Sequence, residues 1–353
     1  MKILMYSDLH ISKTSSILPN ISDSIYTYRQ KMIIETGKYL ANLADVEKPD
    51  LIINLGDTFD QHTVTSYDIN VASEFFKCFR LLNIPHLVLV GNHEMLNGNF
   101  NAIALINNIN NITVIDKPST VNTNIILPNN KENIQLAFLP YCDYKDILDF
   151  PEGQFLFSHQ DIQGSSIRGN ITLPTGIEPS TLKDKYSLVF NGHIHKPSIL
   201  GNVVNVGSVT THSFSDDNNS VPQCYIFDTQ TMNLNTYKPT VCPLFRKVEV
   251  QTQQELLDYL TNLDSTYKYI IHCVCPFELK QEIKDILSND NLVLNSRLTV
   301  TTTKNIETIQ SDTNTVVEAN IDINNSFKQF LNEVEELKFP KQLYLDVLST
   351  LER

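Results

Sequence analysis

No stretch of the chain approaches the roughly 20 consecutive apolar residues that a membrane-crossing helix needs. A cleavable leader is not expected either. The opening MKILMYSDLH sets Asp8 and His10 inside what would be its apolar core, and no cleavage-site pattern follows. The six cysteines form no CxxC pair. Cys273 and Cys275 alternate with apolar neighbours in IIHCVC, so both are predicted on one face of a strand as reduced core thiols. Basic charge is also short. Lys and Arg number 27 against 40 Asp and Glu, a net charge of −13, opposite to the basic surface with which a protein holds a polyanion unaided. That balance predicts that polyanion binding is local or leans on a partner's basic surface. Tryptophan is absent while Asn, Ile and Thr abound, which suits a low-GC bacterial or phage genome. No internal repeat is visible. The compartment expected is the cytoplasm, that of the host if the chain is phage-encoded.

Hydrophobic residues make up 41% of the 353 positions and charged residues 19%, which predicts a packed globular protein. The length implies two domains, or a large domain with an appendage. Strands are predicted at Lys2–Ser7, Asp50–Leu55, His86–Val90, Ile134–Leu139, Phe155–Ser158, Leu188–Asn191, Val203–Val206 and Tyr225–Phe227. Most are continuous apolar runs, as in strands buried on both faces. Helices are predicted over Ser24–Asp45, Tyr67–Leu82 and Asn99–Asn108; in the first, Tyr28, Met32, Tyr39, Leu40 and Leu43 recur at helical spacing. A layered α/β domain with mixed sheets follows for residues 1–243. Residues 244–300 then read helix, strand, helix, strand (Glu255–Leu263, Tyr267–Cys275, Glu278–Leu287, Leu292–Val300), a small α+β second domain. Residues 301–318, rich in Thr, Asn, Ser and Asp, read as a linker. Residues 319–353 carry two apolar helical stripes, Ile323 to Leu337 and Leu343 to Leu351, with Pro340 at the start of the second.

The chemistry lies where apolar runs stop. Asp8 and His10 follow the first run, Asp57 follows LIINLG, Asn92 and His93 follow LVLVG, His159 follows FLFS, and His193 and His195 follow LVFNG. Carboxyl ends of strands share one rim in layered α/β folds, so these residues are predicted to converge. Asp, His and Asn without thiolate suit Mn²⁺, Fe²⁺ or Zn²⁺ in a reactive centre better than a structural zinc. Two such ions need a shared ligand, and Asp57, after a glycine at a strand end, is the bridging candidate. His62, His86, His212 and His272 fall outside the pattern and are read as solvent or packing residues, with His62 the one kept as an alternative at the site.

The ordered set DLH, GDTFD, GNHE, SHQ and GHIH resembles that of the calcineurin-like metallophosphoesterases. The resemblance covers about the first 210 residues and implies a four-layer sandwich. GDTFD further resembles the GDxFD form of the SbcD branch, the nuclease subunits of double-strand-break repair complexes and of large phages. It implies that Asp8, His10 and His195 hold one metal, that Asn92, His159 and His193 hold the other, and that Asp57 bridges them. It also implies that a metal-bound water attacks phosphorus in line, that His93 is the acid for the leaving oxygen, and that Asp60 orients His93. Mn²⁺ is the ion expected, with Mg²⁺, Fe²⁺ and Zn²⁺ as alternatives. Ser158 stands where many relatives carry glycine, but the ligand after it is kept.

In that branch the region after the phosphoesterase domain caps the site and recognises DNA, and a helical tail grips the coiled coil of an SbcC-type ATPase. The stripes of residues 319–353 would serve that contact, unless they fold back on the chain's own second domain. Residues Tyr67–Arg80 are a candidate homodimer surface. Two further readings stay open: a phosphatase or small-molecule phosphodiesterase, for which residues beyond 243 would be superfluous, and a non-catalytic scaffold like the retromer subunit of this fold, against which the full ligand set counts.

Overall fold

A computed structural model describes residues 1–301 except 13–17, 19–24, 97–99, 102, 104–105, 107–111, 128–132, 144, 146, 148, 169–170 and 215–219. The elements begin β1 (Lys2–Tyr6), α1 (Tyr28–Glu47), β2 (Leu51–Asn54), α2 (Ser66–Lys77), β3 (His86–Leu89), β4 (Met95–Leu96), β5 (Phe100–Asn101), β6 (Ile112–Ile115) and β7 (Ser119–Asn122). There follow α3 (Thr123–Ile126), β8 (Gln135–Leu139), β9 (Phe155–Ser158), β10 (Ser166–Arg168), β11 (Ile171–Thr172), α4 (Pro179–Lys183), β12 (Leu188–Asn191), β13 (Ser198–Leu200) and β14 (Val203–Asn205). The last are β15 (Cys224–Asp228), β16 (Leu234–Tyr237), β17 (Leu244–Glu249), α5 (Gln253–Thr261), β18 (Tyr269–Pro276), α6 (Lys280–Asn289) and β19 (Val293–Thr301).

Two six-stranded mixed sheets stack face to face. The first runs β16-β15-β1-β2-β3-β6 and the second β13-β14-β12-β9-β8-β7. β1, β2, β3 and β6 are parallel neighbours in the first sheet, as are β14, β12, β9 and β8 in the second. Period-2 alternation within these buried strands sends Ile3, Met5, Leu51, Ile53, Leu87 and Leu89 to meet Phe138, Phe155, Phe157 and Phe190 between the sheets. The alternate residues Leu4, Tyr6, Ile52 and Val88 face outward and bury Ile33, Leu40, Ala44, Val71 and Phe75 of α1 and α2. The outer face of the second sheet is covered by Ile162, Ile177, Leu182 and Tyr186, from loops and the short α4. The expected four-layer α/β arrangement is thus borne out, with a thinner fourth layer than the first.

The caps explain the helix starts. Thr27 accepts from the Gln30 amide and Gln30 Oε1 accepts from the Thr27 amide, so α1 begins at Tyr28 instead of Ser24. Thr65 and Asp68 form the same box before α2. α2 stops at Lys77, and Cys78–Leu82 tighten into turns bonded three residues back. Of the helix expected over Asn99–Asn108, Phe100–Asn101 are strand β5 and most of the rest lies outside the described residues.

The expected helix-strand-helix-strand order after residue 255 is present. An additional strand, β17, precedes it, giving a three-stranded parallel sheet β17-β18-β19. Its core includes Leu244, Leu256, Ile271, Cys273, Cys275, Ile283 and Leu287, which puts both cysteines on the α5/α6 face. Thr301, expected to open a linker, is the last residue of β19. The rest of the linker and both tail stripes lie outside the described residues. Among the described residues no helix is long and apolar enough to cross a membrane.

Candidate metal centre

All nine predicted site residues meet at the carboxyl rim of the two sheets. Asp8 and His10 leave β1, Asp57 and Asp60 leave β2, Asn92 and His93 leave β3, His159 leaves β9, and His193 and His195 leave β12. Asp8, His10, Asp57 and His193 all have φ between 46° and 67°, the left-handed region that non-glycine residues rarely enter. Such strain costs on the order of 1–3 kcal/mol per residue and gathers at functional sites. The motif glycines have a steric cause. Gly56 has φ +113°, and a Cβ there would enter the His159 ring, while a Cβ on Gly91 would overlap Asp57 Oδ1.

Asp57 lies at the middle. Its Oδ1 accepts from the His93 amide at 3.0 Å, and its Oδ2 is 3.3 Å from His159 Nε2, 3.5 Å from His10 Nε2 and 3.9 Å from His93 Nε2. Ligand atoms of Asp8, His10 and Asp57 lie within 4.8 Å of one another, and so do those of Asp57, His159 and His193. Asp57 is the member common to both groups. Asn92 Oδ1 sits 3.1 Å from His159 Nε2 and 2.8 Å from His193 Nδ1, while His195 Nε2 sits 3.1 Å from His10 Nε2.

The far nitrogen of several imidazoles is fixed from behind, which aims the other inward. His159 Nδ1 donates to the Leu55 carbonyl at 2.7 Å. His10 Nδ1 lies 3.2 Å from Asp60 Oδ1, and His193 Nε2 lies 2.9 Å from Asp161 Oδ1. His93 Nδ1 donates to the Asp60 carbonyl at 2.7 Å, whereas the Asp60 carboxylate is 4.0 Å away. Asp60 therefore holds His93 through its backbone and gives its side chain to His10.

These residues fit divalent cations. Asp8 is fully buried, and neither carboxylate oxygen has a hydrogen-bond partner; its nearest ring nitrogens, on His10 and His195, are 3.8 Å away. A buried carboxylate so placed is costly without a cation. Carboxylate, imidazole and amide oxygen donors, with no thiolate, match the reactive divalent ions. The electrostatics agree. Burial pushes His10 down, but Asp60, Asp8 and Asp57 outweigh it and bring it up to about 10. Burial likewise disfavours the charged form of His159, and Asp57 raises it to about 9. Burial works against the Asp57 carboxylate too, yet His159, His10 and His93 hold it far below the usual range. The site concentrates negative charge that positive charge must answer.

Several residues here were missed from sequence. His212, read as a packing residue, is at the centre: its ring lies 4.6 Å from that of His10 and 4.7 Å from that of His195. It arrives on the loop after β14, a sixth strand end, and that position was the signal available. Burial, then the charge of His10 and Arg29, keeps it neutral. Its Nδ1 accepts from Arg29 Nη2 at 2.9 Å and its Nε2 meets Ser208 Oγ at 2.7 Å. Arg29, buried near the start of α1, also donates to the Leu9 and His10 carbonyls and to Thr211, tying the first and sixth loops together. Buried Glu94 accepts from the Phe59 and Gly91 amides at 2.7 Å each; burial and the Asp57 charge raise it to about 8. Ser158 has its own role, donating to Asn191 Oδ1 at 2.7 Å and joining β9 to β12. His62 is exposed, and His86 is a neutral core residue accepting from Tyr6 Oη, its protonation suppressed to about 3 by burial.

A family model for calcineurin-like phosphoesterases matches residues 1–197, more than half of the chain. No curated protein matches significantly. Among solved structures, an archaeal phosphodiesterase is 13% identical with a TM-score of 0.35, covering 68% of this chain and 100% of its own. TT1561 of Thermus thermophilus is 13% identical with a TM-score of 0.37, covering 67% and 98%. YfcE, a phosphoesterase from E. coli, is 12% identical with a TM-score of 0.31, covering 67% and 98%.

Proposed function

The chain belongs to the calcineurin-like phosphoesterase family and is a metal-dependent phosphoester hydrolase, and from that premise we propose that it is a DNA nuclease subunit of the SbcD branch. The observation that carries the hydrolytic reading is Asp57 Oδ2, 3.3–3.9 Å from nitrogens of His159, His10 and His93. Asp8, His10 and His195 would hold one divalent ion, Asn92, His159 and His193 the other, with Asp57 common to both. When bound, the two ions supply an activated water and neutralise phosphate oxygens. The protein's own residues do the rest. Asp60 fixes the His93 ring through its carbonyl, so Nε2 faces the site. A proton on that Nε2 would be available to the leaving oxygen. Asp161, Asp60 and the Leu55 carbonyl keep three ligand rings from turning.

DNA as substrate is supported by the GDxFD form of GDTFD and by the parallel module after residue 243, which a small-substrate enzyme would not need. Residues 244–300 would cap the site and recognise DNA. Residues 319–353 would bind an SbcC-type ATPase, supplying basic surface that a chain of net charge −13 lacks. A homodimer through Tyr67–Arg80 belongs to the same reading, and Mn²⁺ is the ion proposed.

Purified protein with verified bound Mn²⁺ should cleave single- or double-stranded DNA, alone or with its partner. Failure on both, with turnover of nucleotide substrates, would move the assignment to a small-molecule phosphodiesterase. His93→Ala should abolish cleavage while titration calorimetry still records both ions. Pull-downs from the native host should recover a long coiled-coil ATPase with the full chain and lose it when residues after 315 are removed. Equal recovery by the truncated chain would refute the tail as the docking segment.

A further inference from the structure

The parallel sheet β17-β18-β19 has one face covered by α5 and α6. On its other face three rows of side chains run across the strands in register. Phe245, Ile270 and Asn295 form the first row, Lys247, His272 and Arg297 the second, and Glu249, Val274 and Thr299 the third. In the first row Phe245 and Ile270 pack against Phe214. In the second, Lys247 and Arg297 are exposed and His272 is half-buried between them. With neighbouring strands about 4.8 Å apart, these three nitrogen-bearing side chains span roughly 10 Å. On a chain of net charge −13, that is a local concentration of the opposite sign.

The row is linked to the metal centre through Phe214 and the chain that leads to it from His212. Phe214 lies 5.3 Å from His272 and 5.2 Å edge-on to Phe245. It follows His212 by two residues, and His212 is against His10 and His195. Beyond the row stand the carboxylate of Glu249 and the hydroxyl of Thr299, which bonds His272 Nε2 at 2.9 Å. Glu249 marks the outer limit for an anionic ligand.

We propose that this face is a track for one strand of a polynucleotide, whose phosphates lie on the Lys247–His272–Arg297 row while a base rests on Phe214 on the way to the metals. Cations in line with an aromatic platform are the combination that holds single strands without reading their sequence. Lys247 and Arg297, two strand spacings apart, are placed to meet phosphates of one backbone. The inference rests on the nucleic-acid reading above and adds which strand form is bound and where.

The test uses the full chain with inert Ca²⁺ and labelled single-stranded oligonucleotides of increasing length. Wild-type affinity should rise with length. In Lys247→Ala/Arg297→Ala the rise should be lost, and the slope of log affinity against log salt should fall by about 1.4, from two phosphate contacts at about 0.7 each. An unchanged thermal midpoint in the variant excludes misfolding. Identical slopes and length dependence in the two proteins would overturn the track, as would tighter wild-type binding to blunt duplex of equal length. If the wild type binds no oligonucleotide the track fails, and if the manganese-loaded protein hydrolyses bis(p-nitrophenyl) phosphate yet neither binds nor cleaves DNA, alone or with its partner, the nucleic-acid reading itself fails.

Discussion

Asp161 accepts from His193 Nε2 at 2.9 Å, and that bond, reciprocally, depresses the carboxyl before burial and the charge of His159 are counted. Its contribution is to choose which ring nitrogen faces Asn92. Asp161→Ala should weaken Mn²⁺ binding by about 10–100-fold, the usual cost of losing such a partner. Titration calorimetry checks it, and unchanged affinity would show that packing alone holds the ring. The raised histidines make a second prediction. His10 at about 10 and His159 at about 9 lie above the ordinary 6.5, so the metal-free protein carries protons on both at pH 7. Metal needs the neutral rings. Apparent affinity should therefore climb from pH 6 to about 9, with up to two protons released per loaded site at pH 7, measurable in buffers of different ionisation enthalpy. In the metal-free fold the sign is reversed: the stabilisation from these two groups is full below 6.5 and lost as pH rises through 9 to 10. At this scale most of the site was legible, because its residues stand at strand ends. His212 was not, since TTH gives a histidine no partner until β14 brings it beside β12.

Elements explain why the motifs carry glycine. The loops after β2, β3 and β9 press together so closely that Gly91 has Asp57 where its side chain would be. Gly91→Ala should destabilise the fold by about 1–3 kcal/mol through overpacking and abolish binding at the Asp57 position. Gly201, at φ +64° in the turn between β13 and β14, has nothing within 4 Å of the place a Cβ would occupy. Gly201→Ala should cost roughly 1 kcal/mol and leave metal binding alone. Denaturant titrations with parallel metal titrations compare the two, and equal loss of binding in both would remove the steric account. Buried strands such as Phe155–Ser158 and Leu188–Asn191 were read to the residue, because a continuous apolar run ends where the chain meets the rim. The two-residue to three-residue strands β4, β5, β10 and β11 were missed, and so were β6, β7, β13, β16 and β17: most of these last five are half-exposed and mix polar residues into the run, so their pairing, not their composition, makes them strands.

The whole molecule is acidic, and buried Asp8 and Asp57 face a centre whose donors suit cations. Removing metal should lower stability. With free Mn²⁺ at about 100 times its dissociation constant, binding contributes about 2.7 kcal/mol. For a chain of 353 residues that corresponds to a fall of about 4 °C in thermal midpoint on chelation. Scanning calorimetry with and without chelator checks it, and coincident transitions would argue that the native fold does not hold the ion.

The sequence alone determined the ligand types, their order and their place at five strand ends, because hydrophobic runs mark buried strands and polar residues cannot continue them. It also carried the family. Only the tertiary structure decided that Asp57 faces both clusters, that Asp60 reaches His93 by its carbonyl and His10 by its carboxylate, and that a sixth loop brings His212 to the site, where Arg29 of α1 meets it. Those outcomes depend on which strands lie side by side. Parallel neighbours are set by packing between whole sheets, which no local stretch of sequence records.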